Sequence, residues 1–270
     1  MAQLPASLRA PAWLTPDAPY PATELLACSN GLLHLPTRTL IPHSPNFFSS
    51  FSVNYAYDPD APDPTQWLNF LNTIWPNDQE SIETLQDMFG LFLATDTSYQ
   101  KIFLLLGPRR SGKGTIERVL TALIGNQNIA APTLNSLPET FGIEPLIGKP
   151  VAIISDARLN PKADVSAITE RLLTISGEGN LSVPRKYKTA WTGYLPTRFL
   201  ILTNLLPNLG DASGALASRF IILQLSISFY GREDRPHPKA SARAARHLEM
   251  GACWVRPPEE ARSFPSARIG

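Results

Sequence analysis

The chain has 270 residues, 43% of them hydrophobic and 17% charged, with a formal net charge of +1. This length holds one sizeable α/β domain with smaller flanking pieces, and the near-neutral balance excludes a globally basic nucleic-acid binder, so any pull on a polyanion must come from a local patch. Cys28 and Cys253 are too few and too far apart for a disulfide framework or a cysteine-rich metal site, which fits a reducing, intracellular setting.

No continuous apolar stretch opens the chain and no apolar run reaches membrane-spanning length, so a soluble protein without a signal peptide is expected. The first 22 residues are proline-rich and predict an irregular lead-in. Apolar runs separated by turn formers in "GLLHLPTRTLIPHSPNFF" predict one or two short strands. "YDPDAPDP" (57–64) interrupts both helix and sheet pairing and closes a first region, 1–64, as a linker. A helical region, 65–98, follows. Trp67, Phe70, Leu71 and Ile74 share one face there, as do Ile82, Leu85, Met88, Phe89 and Phe92.

Between residues 99 and 230 the pattern changes to buried strands alternating with helices. "KIFLLLG" is a strand running into a glycine-rich loop, and Ile116, Val119, Leu120, Leu123 and Ile124 line a helix that stops near Gly125. "PVAIISD" (150–156), "RFLILTN" (198–204) and "RFIILQL" (219–225) are three further strands, with a helix marked by Ile168, Leu172 and Ile175. This order predicts the α/β class with a mostly parallel central sheet covered on both faces. From Gly231 the composition shifts to Arg, Ala and Pro, and 231–270 is expected to be a poorly ordered or aberrant tail. No internal repeat is evident.

The loop "GPRRSGKGT" carries the chemistry. Gly107, Pro108, Arg110, Ser111, Gly112, Lys113, Gly114 and Thr115 lie between a strand and a helix, where backbone N–H groups converge on phosphate oxygens and glycines permit the approach. Lys113 is placed to sit over β- and γ-phosphates; the alternative is a glycine-rich turn without a ligand. Gly114 stands where Ser or Thr usually follows the lysine, although the same "GKGT" ending occurs in nucleotide-binding loops such as those of adenylate kinases. Thr115 is then the nearest hydroxyl for Mg²⁺ or phosphate, with coordination through water as the alternative.

Four other features attach to this loop. Asp156, closing a strand, either holds Mg²⁺ and polarises water or is an ordinary helix cap. Asn204 either orients water and senses the γ-phosphate or makes an Asx-turn. Arg219 is either a surface residue or a positive charge offered to a neighbouring subunit's γ-phosphate. Arg185, Lys186, Lys188 and Arg198 are interleaved with Tyr187, Trp191 and Tyr194. That mix suits phosphate neutralisation and base stacking, or else a solvated basic strand with its aromatics in the core.

In this order the pieces resemble the helicase portion of phage and plasmid primase–helicases of the P4 type, superfamily 3 helicases within the AAA+ P-loop ATPases. The likeness covers roughly residues 28–234. It is most specific in "GPRRSGKGT", "GKPVAIISDARL", "ERLLTISGE", "VPRKYKTAWTGYLPTRFLILTN" and "DASGALASRF". The resemblance implies a ring-forming, usually hexameric motor that binds ATP with Mg²⁺ between subunits and moves along single-stranded DNA. It also implies a place in bacterial or phage-infected cytoplasm. By it, Lys113 belongs to Walker A and Asp156 to Walker B, Thr115 and Asp156 face the metal, and Asn204 is the polar sensor of the third motif. Arg219 is the arginine finger, and Arg185, Lys186, Tyr187 and Lys188 lie in or near the DNA-contacting hairpin. No primase-like domain precedes the helicase region, so a separate primase is expected.

Three departures qualify the likeness. Ser155 precedes Asp156 where related motors often carry two adjacent acids, and Gly179 in "SGEG" stands where relatives carry an acid. After "GRED" relatives continue into a helical closing region, whereas "ARHLEMGACWVRPPEEARSF" has no comparable amphipathic helix and is a candidate for out-of-frame translation. Two rival functions follow. One is a nucleotide kinase, which needs an acceptor pocket and an arginine-rich lid; the other is a truncated DNA-binding remnant without turnover.

Overall fold

A computed structural model of the chain describes residues 11–16, 18–210 and 214–231, and the tail expectation for 232–270 lies outside the described residues. The chain divides into two compact units. One takes the chain up to Asp96 together with Gly114–Gln127; the other takes Thr97–Lys113 and Asn128–Phe229.

In the first unit, β1 (Ala12–Trp13) pairs antiparallel with β5 (Phe47–Phe48), and β2 (Leu25–Cys28), β3 (Gly31–His34) and β4 (Thr39–Ile41) make an antiparallel meander. Three short strands occupy 31–48, where the sequence predicts one or two, and β1 and β2 precede that stretch. The missed signal is "SNG": Ser29 and Asn30 turn β2 directly onto β3, and Gly31 is needed because a Cβ there would lie 2.5 Å from the Ile41 carbonyl oxygen of β4. His34, buried, is held by Glu24 Oε2 at 2.8 Å and Thr37 Oγ1 at 2.7 Å, and Tyr20 stacks on its ring.

Two amphipathic helices complete the main body of this unit. α1 (Thr65–Ile74) buries Trp67, Leu71 and Ile74, with Phe70 half-buried against Trp67. α2 (Gln79–Leu93) starts where the Asp78 carboxylate accepts from Ser81 N at 3.0 Å, which satisfies one of the helix's orphan N–H donors. Its residues Ile82, Leu85, Met88, Phe89 and Phe92 are buried. Trp67 stacks on Phe89 across the pair at 5.9 Å, and each such fully buried side chain contributes about 1.5–3 kcal/mol. α3 (Lys113–Ile124) counts with this unit from Gly114 onward. It ends at Gly125, whose φ of 84° is the left-handed conformation of a glycine helix terminator.

The second unit is built on β6 (Ile102–Leu106), β7 (Ile129–Ala130), β8 (Val151–Ile154), β11 (Arg198–Thr203) and β12 (Phe220–Gln224). All pairs are parallel, in the order β12-β6-β11-β8-β7. The central strands are continuous apolar runs because neither face meets water. β7 escaped the sequence reading because two residues carry no periodicity. α4 (Val165–Ser176) joins the same buried cluster as Leu104, Ile154 and Ile201 through Ile168, Leu172 and Ile175. β9 (Leu181–Arg185) and β10 (Lys188–Gly193) form an antiparallel hairpin between α4 and β11.

Parallel register sorts the functional candidates onto two edges. β6, β8 and β11 end together, at Gly107, Ser155 and Asn204, whereas Lys101, Arg198 and Arg219 mark where strands begin. The edges are separated by one strand length, about 16 Å at 3.3 Å per residue. β11 lies between β6 and β8, so the strand that leads to Asp156 is not the neighbour of the strand that leads into the glycine-rich loop, and Asn204 comes next to the loop instead.

Candidate functional site

Gly107 leaves β6 with its N–H still donating to Thr203 O at 3.2 Å, and a Cβ there would lie 2.4 Å from Leu225 O. Only glycine passes through this gap between backbones. Arg110 and Gly112 then take positive φ, 61° and 102°, which curls the loop. The outer rim is pinned by Phe229 N to Arg110 O at 3.0 Å and by Ser228 Oγ to Arg109 O at 2.9 Å. Ser111 is buried beneath it.

Lys113 points back into this loop. Its Nζ donates to Gly107 O at 2.6 Å and Pro108 O at 2.8 Å, and it lies 3.1 Å from Asn204 Oδ1 and 3.3 Å from Ser111 Oγ. Partial burial lowers the pKa of the ammonium, because desolvation penalises its charged form. All four acceptors are neutral, so phosphate oxygens bearing full charge would make the stronger partners.

The alternatives at Asn204 and Asp156 separate on geometry. The turn after β11 is made by Thr203, whose Oγ1 accepts from Leu205 N at 3.3 Å and donates to Leu205 O. Asn204 is therefore available to the lysine. Asp156 lies two residues beyond β8, is exposed, and forms an ion pair with Arg158 Nε at 3.1 Å. It does not cap the following helix; Asp164 does, accepting from Ala167 N at 2.9 Å.

In the first turn of α3, the Thr115 hydroxyl accepts from Arg118 Nη2 at 3.0 Å. A Cβ at Gly114 would meet only Arg118 Nη1, at 3.5 Å, which is ordinary contact. The missing hydroxyl at position 114 is thus not a steric demand. Among the described residues no group of three or more His, Cys, Asp or Glu side chains comes together as a metal site.

The basic and aromatic residues split between the hairpin and the core. Tyr187 caps the hairpin with a φ of 58° and 94% of its surface exposed, and Lys186 Nζ lies 5.4 Å from its ring centroid. Lys188 is exposed beside it, and Arg185 Nε ties the turn by donating to Thr189 O at 2.8 Å. Trp191, paired with Val183, is buried in the core, and Arg198 is buried at the start of β11. Strand alternation decides this, since Val183 and Trp191 share the inward face. Arg219, at the opposite edge from Lys113, donates to the last turn of α4.

Residues 105–219 match the model of a family described only as of unknown function, DUF5906, and residues 16–76 match a model described as D5 N terminal like, D5_N. Two apo structures of the NrS-1 C terminal region share the fold, with TM-scores of 0.57 and 0.58, each at 16% sequence identity. Each match covers 74% of this chain and 47% of the other, so the chain spans just under half the length of those structures. No helix among the described residues is long and apolar enough to cross a membrane.

Proposed function

We propose that the chain is a replication ATPase of the phage and plasmid primase–helicase kind, related to the P4 type, which hydrolyses ATP while working on single-stranded DNA. The observation that carries this reading is Lys113, held over a curled glycine loop at the end of β6 with Asn204 of the adjacent strand on its ammonium. The D5 N terminal like match and the fold shared with the NrS-1 C terminal region support the replication context.

The residues fit a nucleoside triphosphate. The left-handed residues Arg110 and Gly112 curl the loop in a way that suits backbone N–H groups bonding anionic oxygens, and Lys113 can exchange neutral carbonyls for them at a gain in hydrogen-bond strength. When bound, ATP with Mg²⁺ supplies the scissile anhydride and partial neutralisation of its charge. Lys113 then holds the β- and γ-phosphates, and Asn204, released from the ammonium, can orient the attacking water. Asp156 at the same edge and Thr115 in α3 remain the proposed metal-facing groups. Each must first give up a partner, Arg158 and Arg118 respectively.

The hairpin tip suits a single strand. Its cations neutralise phosphates and the exposed Tyr187 ring offers a stacking face that any base can use. In a head-to-tail ring, hexameric by resemblance, each subunit meets the next through two different surfaces, as a finger offered to a neighbour's γ-phosphate would require. For Arg219 to serve as a finger there, its guanidinium must leave α4. A second reading, DNA binding without turnover, is favoured by the Asp156–Arg158 ion pair, which occupies the one carboxylate the reaction would use.

ATP turnover with and without single-stranded DNA tests the proposal. Stimulated turnover that is lost in Lys113→Ala is expected; a folded chain that binds DNA but never turns over ATP supports the second reading instead.

A further inference from the structure

Arg219 immediately precedes β12, and its guanidinium is committed to the end of a helix. Nη1 donates to Leu173 O at 2.6 Å and to Ser176 Oγ at 2.8 Å. Both belong to the last turn of α4, where Leu173 O also accepts from Gly177 N at 2.9 Å and the helix end carries partial negative charge. Ser176 Oγ in turn donates to Leu172 O at 2.6 Å, so the arginine, the serine and the helix end form one network. Gly177 makes room for it, since a Cβ there would lie 2.8 Å from Nη1 and 3.0 Å from Nη2 of Arg219.

The basic hairpin departs from this point. Only residues 177–180 separate Ser176 from the start of β9, and that link is held along its length. Glu178 sits at a φ of 59° with its carboxylate accepting from the Thr97 hydroxyl. Gly179 N donates to Thr174 O at 2.8 Å, and a Cβ at 179 would press on the Thr174 methyl at 2.7 Å. An acid at 179 would need Thr174 to move, which gives the glycine at this position a local reason. Lys101 Nζ adds a bond to Ser218 O at 3.0 Å. The hairpin root is therefore tied to the residues that lead into β6 and β12, adjacent strands paired from Ile102 and Phe220.

We infer that Arg219, acting through Ser176 and Leu173, is a positioning residue for the basic hairpin: it fixes the helix turn from which β9 leaves and so the direction in which the Lys186–Tyr187 tip is presented to a DNA strand. The inference rests on the proposed DNA reading of the tip. It gives the arginine work within its own chain, at the edge opposite the phosphate loop. A planar guanidinium suits the role because its Nη1 holds both acceptors from a fixed orientation, whereas a flexible lysine ammonium would engage them with less geometric control.

The test is equilibrium binding of the full chain to a fluorescent oligothymidine without nucleotide, with ADP binding measured in parallel. Arg219→Ala is expected to weaken oligothymidine binding about tenfold, the scale of a lost charge-assisted hydrogen bond, and Ser176→Ala about threefold in the same direction. Arg219→Lys is expected to fall between Arg219→Ala and wild type, with ADP affinity unchanged in all three. If Arg219→Ala does not fold by circular dichroism, Ser176→Ala carries the test. Wild-type oligothymidine binding in Ser176→Ala, or in Arg219→Ala that loses only ATP turnover, overturns the inference and favours a finger acting on a neighbouring molecule. Should wild type and Lys186→Ala bind the oligonucleotide equally weakly, the DNA reading itself fails and the inference falls with it.

Discussion

The glycine-rich loop and the basic hairpin lie in the same unit but are built on opposite principles. The loop is made of backbone: two left-handed residues, a glycine squeezed against Leu225, and a lysine surrounded by four oxygens. The hairpin tip presents side chains to solvent, with Tyr187 almost wholly exposed, while its root is held by hydrogen bonds from Arg219 and Thr97. A preorganised anion site suits chemistry at fixed distances. An exposed tip on a hydrogen-bonded root suits a ligand that passes across it.

That contrast can be broken from either side. The largest effect is expected from Lys113→Ala, which should lower ATP turnover about 100-fold or more while leaving oligothymidine binding intact. Asn204→Ala should lower turnover about tenfold, with a coupling to Lys113→Ala in a double-mutant cycle that two independent residues would not show. Tyr187→Ala should do the converse, weakening single-strand binding about tenfold and sparing ADP affinity, as expected for a lost base stack. Gly107→Ala should destabilise the unit by about 1–3 kcal/mol in urea unfolding, because the clash is with a backbone oxygen that cannot rotate away. Gly114→Ser should shift stability by no more than about 0.5 kcal/mol, since its Cβ meets only a flexible guanidinium.

Much of this arrangement was legible from local chemistry. The loop announces itself through glycine spacing and a following helix, and the parallel sheet through runs such as "IFLLL" and "RFLILT" that have no polar face. What local chemistry could not supply was adjacency. Asn204 meets Lys113 because β11, late in the chain, inserts beside β6, and the same insertion moves Asp156 one strand away. The fates of Trp191 and Arg198 depended on which hairpin and sheet positions turn inward, and only pairing with Val183 and Val151 decides that. Arg219 presented the same sequence whether it faced solvent, a neighbour or a helix end. The short strands of the first unit were obscured because runs of two to four residues carry too little periodicity to register.

The measurement that tests the central claim most directly is ATP turnover titrated with oligothymidine in wild type, Lys113→Ala and Tyr187→Ala. The account predicts stimulation in wild type, no turnover in Lys113→Ala, and basal turnover with weakened stimulation in Tyr187→Ala. Turnover that survives Lys113→Ala, or stimulation that is unchanged in Tyr187→Ala, would contradict it.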